Sequence, residues 1–595
     1  MRKGTWRFVA AGATTLFVGL ASCRDETPLM TANARHLRAT LMSTASGSVR
    51  GSRIRRPSED PFVVLANDEP STAGFFLDSQ GNLVVQTVDS SRLSNAAFAA
   101  SRRVASGDIS LPKKYQSARI VARKAQYTFQ QLSDWRDAVV DSVLGIGNGV
   151  SSVDLDEVRN RVAIGILNDE ARGYAWAVAR LTQLGIPQAA VILERDNGTT
   201  PATATPVAPR VHARLFAGQY LTDTTDTIGG GIAAGTAAVG ACTVSIVGDL
   251  SGTRGYITAS HCSDGTWNLD YSRAFQPDST ASVHRYLGHE TVDPRGTACS
   301  IGQSCDYHRS SDGSWYTLDG SIPGRRGAIA HPDTIYRTSG SAGSTLIASV
   351  HPWLNIWATS SYYVGETLDK IGSVTGWTYG TVSASCVDRD YVKVGVTYRV
   401  YCSGKASIWG HTGDSGSPVF IWDGAEGAIY IGMLFAMDCT GSCYQNATSY
   451  FSPFSSIETD LGTLNVVTEI TVGTPSVSGS INGSGNPVLS WSAVSTTNTS
   501  ETTTYNIYRS VWDASTYTWT QQGNLIGTTT STSFTDGGNP VTVTSYQGTS
   551  QPAECTYTFI SYAVRAYNAG IPAPSAPVYF QGAANGATPW QFTCP

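Results

Sequence analysis

Thr258-Ala-Ser-His261-Cys262 and Gly413-Asp-Ser415-Gly-Ser-Pro418 decide how this chain is read. The first sets a histidine beside a cysteine at the end of an apolar run, and the second sets a serine in a tight glycine turn ahead of the apolar stretch 419–422. Together they read as general base and nucleophile, because a serine hydroxyl is a poor nucleophile at neutral pH unless a positioned imidazole takes its proton during attack. Glycines on both sides of Asp414-Ser415 let the backbone turn sharply, so that the N–H groups of Gly413 and Ser415 can point at one spot. Such a spot is an oxyanion hole, where one donor is worth about 3 kcal/mol of barrier.

Chain order narrows the plan further. All nine histidines precede Ser415, the last being His411, which excludes the order Ser, Asp, His of the α/β-hydrolases. Ser417 follows Gly416, so the Gly-x-Ser-x-Gly elbow fails as well. The order His, Asp, Ser remains, that of chymotrypsin-like double barrels.

On these segments the chain resembles bacterial trypsin-like serine proteases of the α-lytic protease and streptogrisin type, over roughly residues 229–464. Cys242 lies one hairpin upstream of the His261-Cys262 pair, as in that family's bridge beside the catalytic histidine. Lys370-Ile-Gly-Ser-Val-Thr-Gly376 resembles a Gly-Arg-Thr-Thr-Gly strand, and Phe451-Ser-Pro-Phe-Ser-Ser-Ile457 resembles the family's closing segment. Ile431-Gly-Met-Leu-Phe435 resembles the strand on which the family pairs the substrate backbone, which implies Leu434, Phe435, Ala436 and Met437 as substrate-binding residues. Met437 and Asp438 then fall near the specificity pocket, and an Asp438 pointing into it would favour a basic residue before the cut. The resemblance implies a catalytic triad of His261, Asp312 and Ser415, with an oxyanion hole from Gly413 and Ser415.

The acid leaves the least local pattern, since it needs only to reach the histidine's Nδ1–H. Asp312 is preferred because Asp312-Gly-Ser-Trp315 resembles the family's Asp-x-x-Trp; Asp306, directly after Cys305, is the runner-up, and Asp293 and Asp319 sit farther from both patterns. Two positions depart from the family. Ser417 replaces a common glycine, giving the Gly-Ser-Pro of the related glutamyl endopeptidases, and Ser373 stands where α-lytic relatives carry an arginine paired with the aspartate before the nucleophile. A buried Asp414 without a cation is costly, so either hydrogen bonds hold it, or another arginine such as Arg389 does, or the site needs activation.

Composition agrees with an exported β-rich chain. At 595 residues it is long enough for three or four domains, and a net charge of -5 with 15% charged residues leaves no basic patch for nucleic acid. Sixty glycines and many Ser and Thr suit β-domains with frequent turns. No P-loop, His-Glu-x-x-His or Cys-x-x-Cys pair appears, so no cofactor or metal is expected. Arg2, Lys3 and Arg7 precede an apolar run over 8–21, the pattern of a secretory signal at 1–22. Leu20-Ala21-Ser22-Cys23 resembles a lipobox, making Cys23 a candidate for lipid attachment and an N-terminal lipid anchor the only membrane link expected. The chain is therefore expected outside the cell or on its envelope.

Ten cysteines remain beyond Cys23, an even number. Local spacing proposes Cys242 with Cys262, Cys299 with Cys305, Cys386 with Cys402, Cys439 with Cys443 and Cys555 with Cys594. Residues 61–195 contain none and read as a helix–strand–helix–strand unit. Ser133 caps a first helix through Trp135, Val139, Val140, Val143 and Leu144; Val162, Ile164 and Ile166 alternate as a strand; a second helix over 171–184 stops at Gly185 and Pro187; and 189–193 form another strand. This unit resembles the pro-regions of α-lytic-type proteases, which assist folding of the protease and inhibit it. Residues 196–228 read as a linker, exposed over 196–209 where Thr, Pro and Ala dominate, and a cut there or in 215–229 would release the protease.

Past the protease segment (229–465), Val488-Leu-Ser-Trp491, Tyr505-Asn-Ile-Tyr508 and Tyr562-Ala-Val-Arg-Ala-Tyr567 alternate apolar and polar residues, as a β-sandwich over 474–595 would. The tryptophan and paired tyrosines resemble a fibronectin type III domain. The expected architecture is mainly β: a chymotrypsin-like double β-barrel, preceded by a small α+β pro-region and followed by a β-sandwich. The expected activity is that of an exported serine endopeptidase acting on a protein or peptide through an acyl-enzyme. The competing reading is a catalytically inactive surface binding protein that keeps the barrel.

Overall fold

A computed structural model describes residues 56–590, apart from 112–117, 202–218, 238, 282–283, 334–337, 424–425, 439–444, 485, 500, 514–517, 538–558, 576–577 and 582–587. The signal segment with Cys23, and the expected pairs Cys439–Cys443 and Cys555–Cys594, lie outside the described residues. No described helix is long and apolar enough to cross a membrane.

The fold is mainly β and carries the two halves of a chymotrypsin-like barrel pair. The first half is an eight-stranded antiparallel sheet in the order Gly240–Thr243, Ala233–Thr236, Arg273–Gln276, Arg285–Val292, Gly313–Leu318, Thr253–Ala259, Ile246–Leu250 and Leu464–Asn465. Val244, Val247, Tyr256, Leu287, Tyr316 and Leu318 fill its core, alternate residues of strands that keep one face inward. The second half closes on itself: Gly376–Lys393, Val396–Ala406, Ser449–Pro453, Gly427–Asp438, Pro418–Trp422 and Thr367–Gly372 pair in a ring, and Thr367–Gly372 returns to Gly376–Lys393. Val382, Ala406, Val419, Ile421, Ile431, Leu434 and Phe451 pack inside it.

Closure removes edges within the ring, but Gly376–Lys393 is 18 residues long and overshoots it. The overhang is held to its partner strand by the Cys386–Cys402 disulfide, and its outer edge is covered by Val150–Asp156, with Asp388 opposite Val153 and Arg389 opposite Ser152. Val150–Asp156, Arg161–Leu167 and Val191–Asp196 thus extend the barrel sheet as three further strands. Cys242–Cys262 and Cys299–Cys305 are also disulfides.

In the segment before the barrels, the helix Ala171–Leu184 and its stop at Gly185, in the left-handed region at φ 66°, are as the periodicity predicts. The preceding helix differs at its start. It runs Phe129–Ser142, and Thr128, not Ser133, is its cap, because Thr128 and Gln131 satisfy each other's backbone N–H groups in a capping box. The beginning of the expected linker differs too. Asp196 is buried and Thr199–Pro201 is a strand, so these residues are not an exposed connector. Past the barrels, Val477–Ile481, Pro487–Trp491 and Ser533–Thr535 form one sheet, and a six-stranded sheet built around Thr504–Asp513 and Phe559–Asn568 forms another. Leu489, Trp491, Tyr505, Ile507, Tyr562 and Val564 fill the core of this sandwich-like arrangement.

Candidate active site

Strand register brings the histidine and the acid together. Thr253–Ala259 pairs antiparallel with Gly313–Leu318 so that Ala259 faces Gly313, which leaves His261 and Asp312 side by side just beyond the ladder's end. His261 sits in the one-turn helix Ser260–Cys262, pinned to the neighbouring strand by Cys242–Cys262, and Ser260 N–H donates to the Asp312 carbonyl at 2.6 Å. Ser415 arrives from the second barrel in the turn before Pro418–Trp422, and its carbonyl accepts from Thr243 N–H of the first barrel at 2.8 Å.

The three side chains form one hydrogen-bonded line. His261 Nε2 lies 2.7 Å from Ser415 Oγ, and His261 Nδ1 is hydrogen-bonded to Asp312 Oδ2. The other carboxylate oxygen, Asp312 Oδ1, accepts from Trp267 Nε1 at 2.6 Å and from the Tyr391 hydroxyl at 3.2 Å. Burial, with the Asp312 charge adding to it, pushes the Tyr391 phenol well up, so it stays a donor. All three residues are fully buried, at 0% exposure each. Lys393 Nζ caps the His261 carbonyl at 2.9 Å.

The other acids do different work. Asp306 Oδ2 accepts from Thr397 N–H, Asp319 closes a turn with Ser321, and Asp293 binds Ser260 Oγ and Arg309, both at 2.7 Å. Burial raises Asp293 to about 6 against the opposing charge of Arg309. None of the three contacts the His261 ring.

In the turn that carries Ser415, Gly413 (φ 96°) and Gly416 (φ 88°) adopt the left-handed conformation that glycine reaches without strain. A Cβ on Gly416 would stand 2.0 Å from the Thr243 carbonyl. The Gly413 carbonyl accepts from Thr243 Oγ1 (2.9 Å) and Ser373 Oγ (3.2 Å), which orients the turn. Among the described residues nothing accepts from the Gly413 and Ser415 N–H groups. Ser417 fits the turn, with its N–H and its hydroxyl both donating to the Asp414 carbonyl.

Asp414 does have a cation. Lys370 Nζ lies 3.0 Å from its Oδ2, and the carboxylate also accepts from His411 N, Val374 N and Thr375 N and from the Thr375 hydroxyl. Lys370 and Asp414 are both fully buried; burial pulls the Lys370 ammonium down and the Asp414 charge opposes it. Lys370 thus takes the place expected of an arginine at 373. Sequence alone points to hydrogen bonds, Arg389 or activation for Asp414 and does not single out Lys370.

Arg389, the alternative partner for Asp414, is engaged elsewhere. Its guanidinium grips both oxygens of Asp196, at 3.0 and 3.1 Å, donates to the Tyr450 hydroxyl at 2.7 Å and to Thr199 Oγ1, and lies over the Tyr450 ring. Burial works to raise the Asp196 carboxyl, but the Arg389 charge and its forked hydrogen bonds hold it well below the usual range. Tyr450 in turn donates to Asp438 at 2.6 Å, and Lys405 stands 3.9 Å from the same carboxylate. Asp438, expected near the specificity pocket, is thus hydrogen-bonded to Tyr450.

Leu434, Phe435, Ala436 and Met437 are buried on the strand Gly427–Asp438. Leu434 bridges to the nucleophile turn, its carbonyl accepting from Gly416 N–H (2.8 Å) and its N–H donating to Ser417 O (2.9 Å). The edge beyond it is occupied by the chain itself: Thr199–Pro201 pairs antiparallel with it, Pro201 opposite Ala436, Thr200 opposite Met437 and Thr199 opposite Asp438. One described grouping, His351, Glu426 and Glu501, has donors within 4.8 Å of one another that suit a metal ion; it shares no residue with the triad.

No family model and no curated protein matches the chain. Among solved structures it is similar to Thermobifida fusca Protease A (16% identity, TM-score 0.28), covering 41% of this chain and 99% of that one. It is also similar to Nocardiopsis Protease (16%, TM-score 0.27; 41% and 100%) and to Cellulomonas bogoriensis chymotrypsin (17%, TM-score 0.26; 41% and 99%).

Proposed function

We propose that the chain is an exported serine endopeptidase made with an attached inhibitory pro-region. The observation that carries this reading is the continuous line from Ser415 Oγ through His261 to Asp312, beside two amide N–H groups without an acceptor among the described residues. In this mechanism His261 Nε2 takes the Ser415 proton as Oγ attacks the scissile carbonyl, while Asp312 holds Nδ1–H and so fixes the tautomer. The Gly413 and Ser415 N–H groups receive the oxyanion. The imidazolium then protonates the leaving amine, an acyl-enzyme remains on Oγ, and water attacks it by the same route. The substrate backbone lies along 436–438 as an added antiparallel strand. In the intact chain Thr199–Pro201 holds that edge and the triad is buried, which supports a latent state released by a cut after the pro-region. Cys23 serves as a lipid anchor after export, and three disulfides suit an oxidising compartment.

The binding-protein reading draws on Ser373 and on the choice of acid left open by sequence; the Lys370 ammonium beside Asp414 and the Asp312 carboxylate beside His261 support the peptidase reading instead. The test is hydrolysis of casein and of short peptides by the full chain, its Ser415→Ala variant, and a chain ending at residue 474. Once the segment before the barrels has been cut away from each form, the proposal expects cleavage by the first and third and none by Ser415→Ala. Cleavage that survives Ser415→Ala would overturn it, and so would binding activity lost with the C-terminal residues and no cleavage by any form.

A further inference from the structure

Arg389 is a fully buried guanidinium whose carboxylate partner comes from a segment that must leave the site before any substrate can enter. Asp196 holds it by both oxygens and Thr199 by its hydroxyl, and Thr199 is the residue opposite Asp438 on the substrate strand. Asp196 therefore stands three residues before the position opposite Asp438, and the intervening turn is fixed by Gly198 N–H donating to Asp196 Oδ1 at 2.7 Å. When this segment departs, Arg389 keeps the Tyr450 hydroxyl but loses its bidentate anion. The opened site then presents the guanidinium fork, with Tyr450 and the Asp438 charge still beside it, to whatever returns a carboxylate to the same place.

We infer that Arg389 is a specificity-determining residue of the proposed peptidase: it selects an acidic side chain, aspartate above all, three residues before the substrate residue that lies opposite Asp438. Asp196 is then an internal copy of the preferred substrate as well as a latch. Arginine suits this role because its planar fork matches both carboxylate oxygens, and Tyr450, stacked beneath it, keeps the fork in plane. The inference rests on the peptidase reading, because it needs the 436–438 edge to hold substrate.

The test compares two internally quenched peptides: one with the sequence of residues 193–209, and a twin carrying asparagine at the position of Asp196. The enzyme is the full chain, with the Asp196→Asn full chain beside it, in which the latch is weakened. A separate aliquot of each preparation is treated with a fluorophosphonate that labels activated serines, and kcat/KM is measured on the unlabelled remainder of the forms that label. The aspartate peptide is expected to be cleaved roughly tenfold or more faster, the scale of one charge-assisted hydrogen bond. Arg389→Gln is expected to bring the ratio near one and Arg389→Lys to leave an intermediate ratio. If Arg389→Gln does not fold, the wild-type ratio decides alone. Equal rates for the two peptides, or labelling without cleavage of the aspartate peptide, overturn the inference and leave the peptidase reading standing. No labelling in any form overturns both.

Discussion

Lys370→Met tests whether the buried pair with Asp414 supports the nucleophile turn. Both side chains are fully buried and 3.0 Å apart, and removing one partner of such a pair typically costs about 3 to 5 kcal/mol. Asp414 keeps its donors from His411 N, Val374 N, Thr375 N and the Thr375 hydroxyl, which places the expected loss near the lower end, about 3 kcal/mol. That is roughly a hundredfold in the unfolding equilibrium of the second barrel. Urea unfolding in a Ser415→Ala background, where self-cleavage is absent, reads it through tryptophan fluorescence, to which Trp377, fully buried in the same barrel, contributes. Adding Asp414→Asn to Lys370→Met removes the unpaired charge, so the double variant is expected to lose less than the sum of the two singles, with a coupling of about 1.5 kcal/mol or more. Because Asp414 lies between Gly413 and Ser415, the Lys370→Met chain with Ser415 intact is also expected to react with fluorophosphonate about tenfold or more slowly, as one misaligned oxyanion donor would dictate. A loss below about 1 kcal/mol with additive single variants would refute the reasoning.

Trp267→Phe and Tyr391→Phe each remove one donor to Asp312 Oδ1 and are expected to slow Ser415 labelling by about tenfold; unchanged rates would leave these donors without a role. Glu157, between the strands Val150–Asp156 and Arg161–Leu167, is raised to about 8 by burial, against the Ser385 hydroxyl that donates to it and with Asp156 and Glu59 adding repulsion. An acid raised in the folded state is protonated there while the unfolded chain has already ionised, so stability is fully present below about 4.5 and falls as pH rises to about 8. Glu157→Gln is expected to flatten the dependence of thermal stability on pH in that window, and an unaltered slope would assign it to other groups such as the neighbouring Asp154. Cys262→Ser, which frees the turn bearing His261, is expected to cost about 2 to 5 kcal/mol and most of the reactivity of Ser415; retention of both would show the bridge to be dispensable.

Much of this site is legible in sequence for a physical reason. His261 and Ser415 sit where covalent and backbone constraints leave a local mark, a cysteine bridge beside one and two left-handed glycines around the other. Asp312 is legible only through its neighbours, since its position follows from the register of Gly313 opposite Ala259, a long-range fact with no local code. Lys370, Trp267 and Tyr391 reach their partners from strands and loops 44, 45 and 79 residues away in sequence, and no spacing rule points to them. Asp196 to Pro201 illustrates the opposite error. The Thr, Pro and Ala content of 196–209 reads as linker, yet Arg389 and an open strand edge give its first residues partners that composition cannot foresee.

The central claim, an activated Ser415 served by His261, is tested most directly by fluorophosphonate labelling of the full chain beside Ser415→Ala and His261→Ala, before and after the pro-region is removed. The expected result is labelling of the wild-type chain that rises on removal, is absent in Ser415→Ala, and is lost almost entirely in His261→Ala. A wild-type chain that stays unlabelled after removal, or labelling that persists in Ser415→Ala, would contradict it.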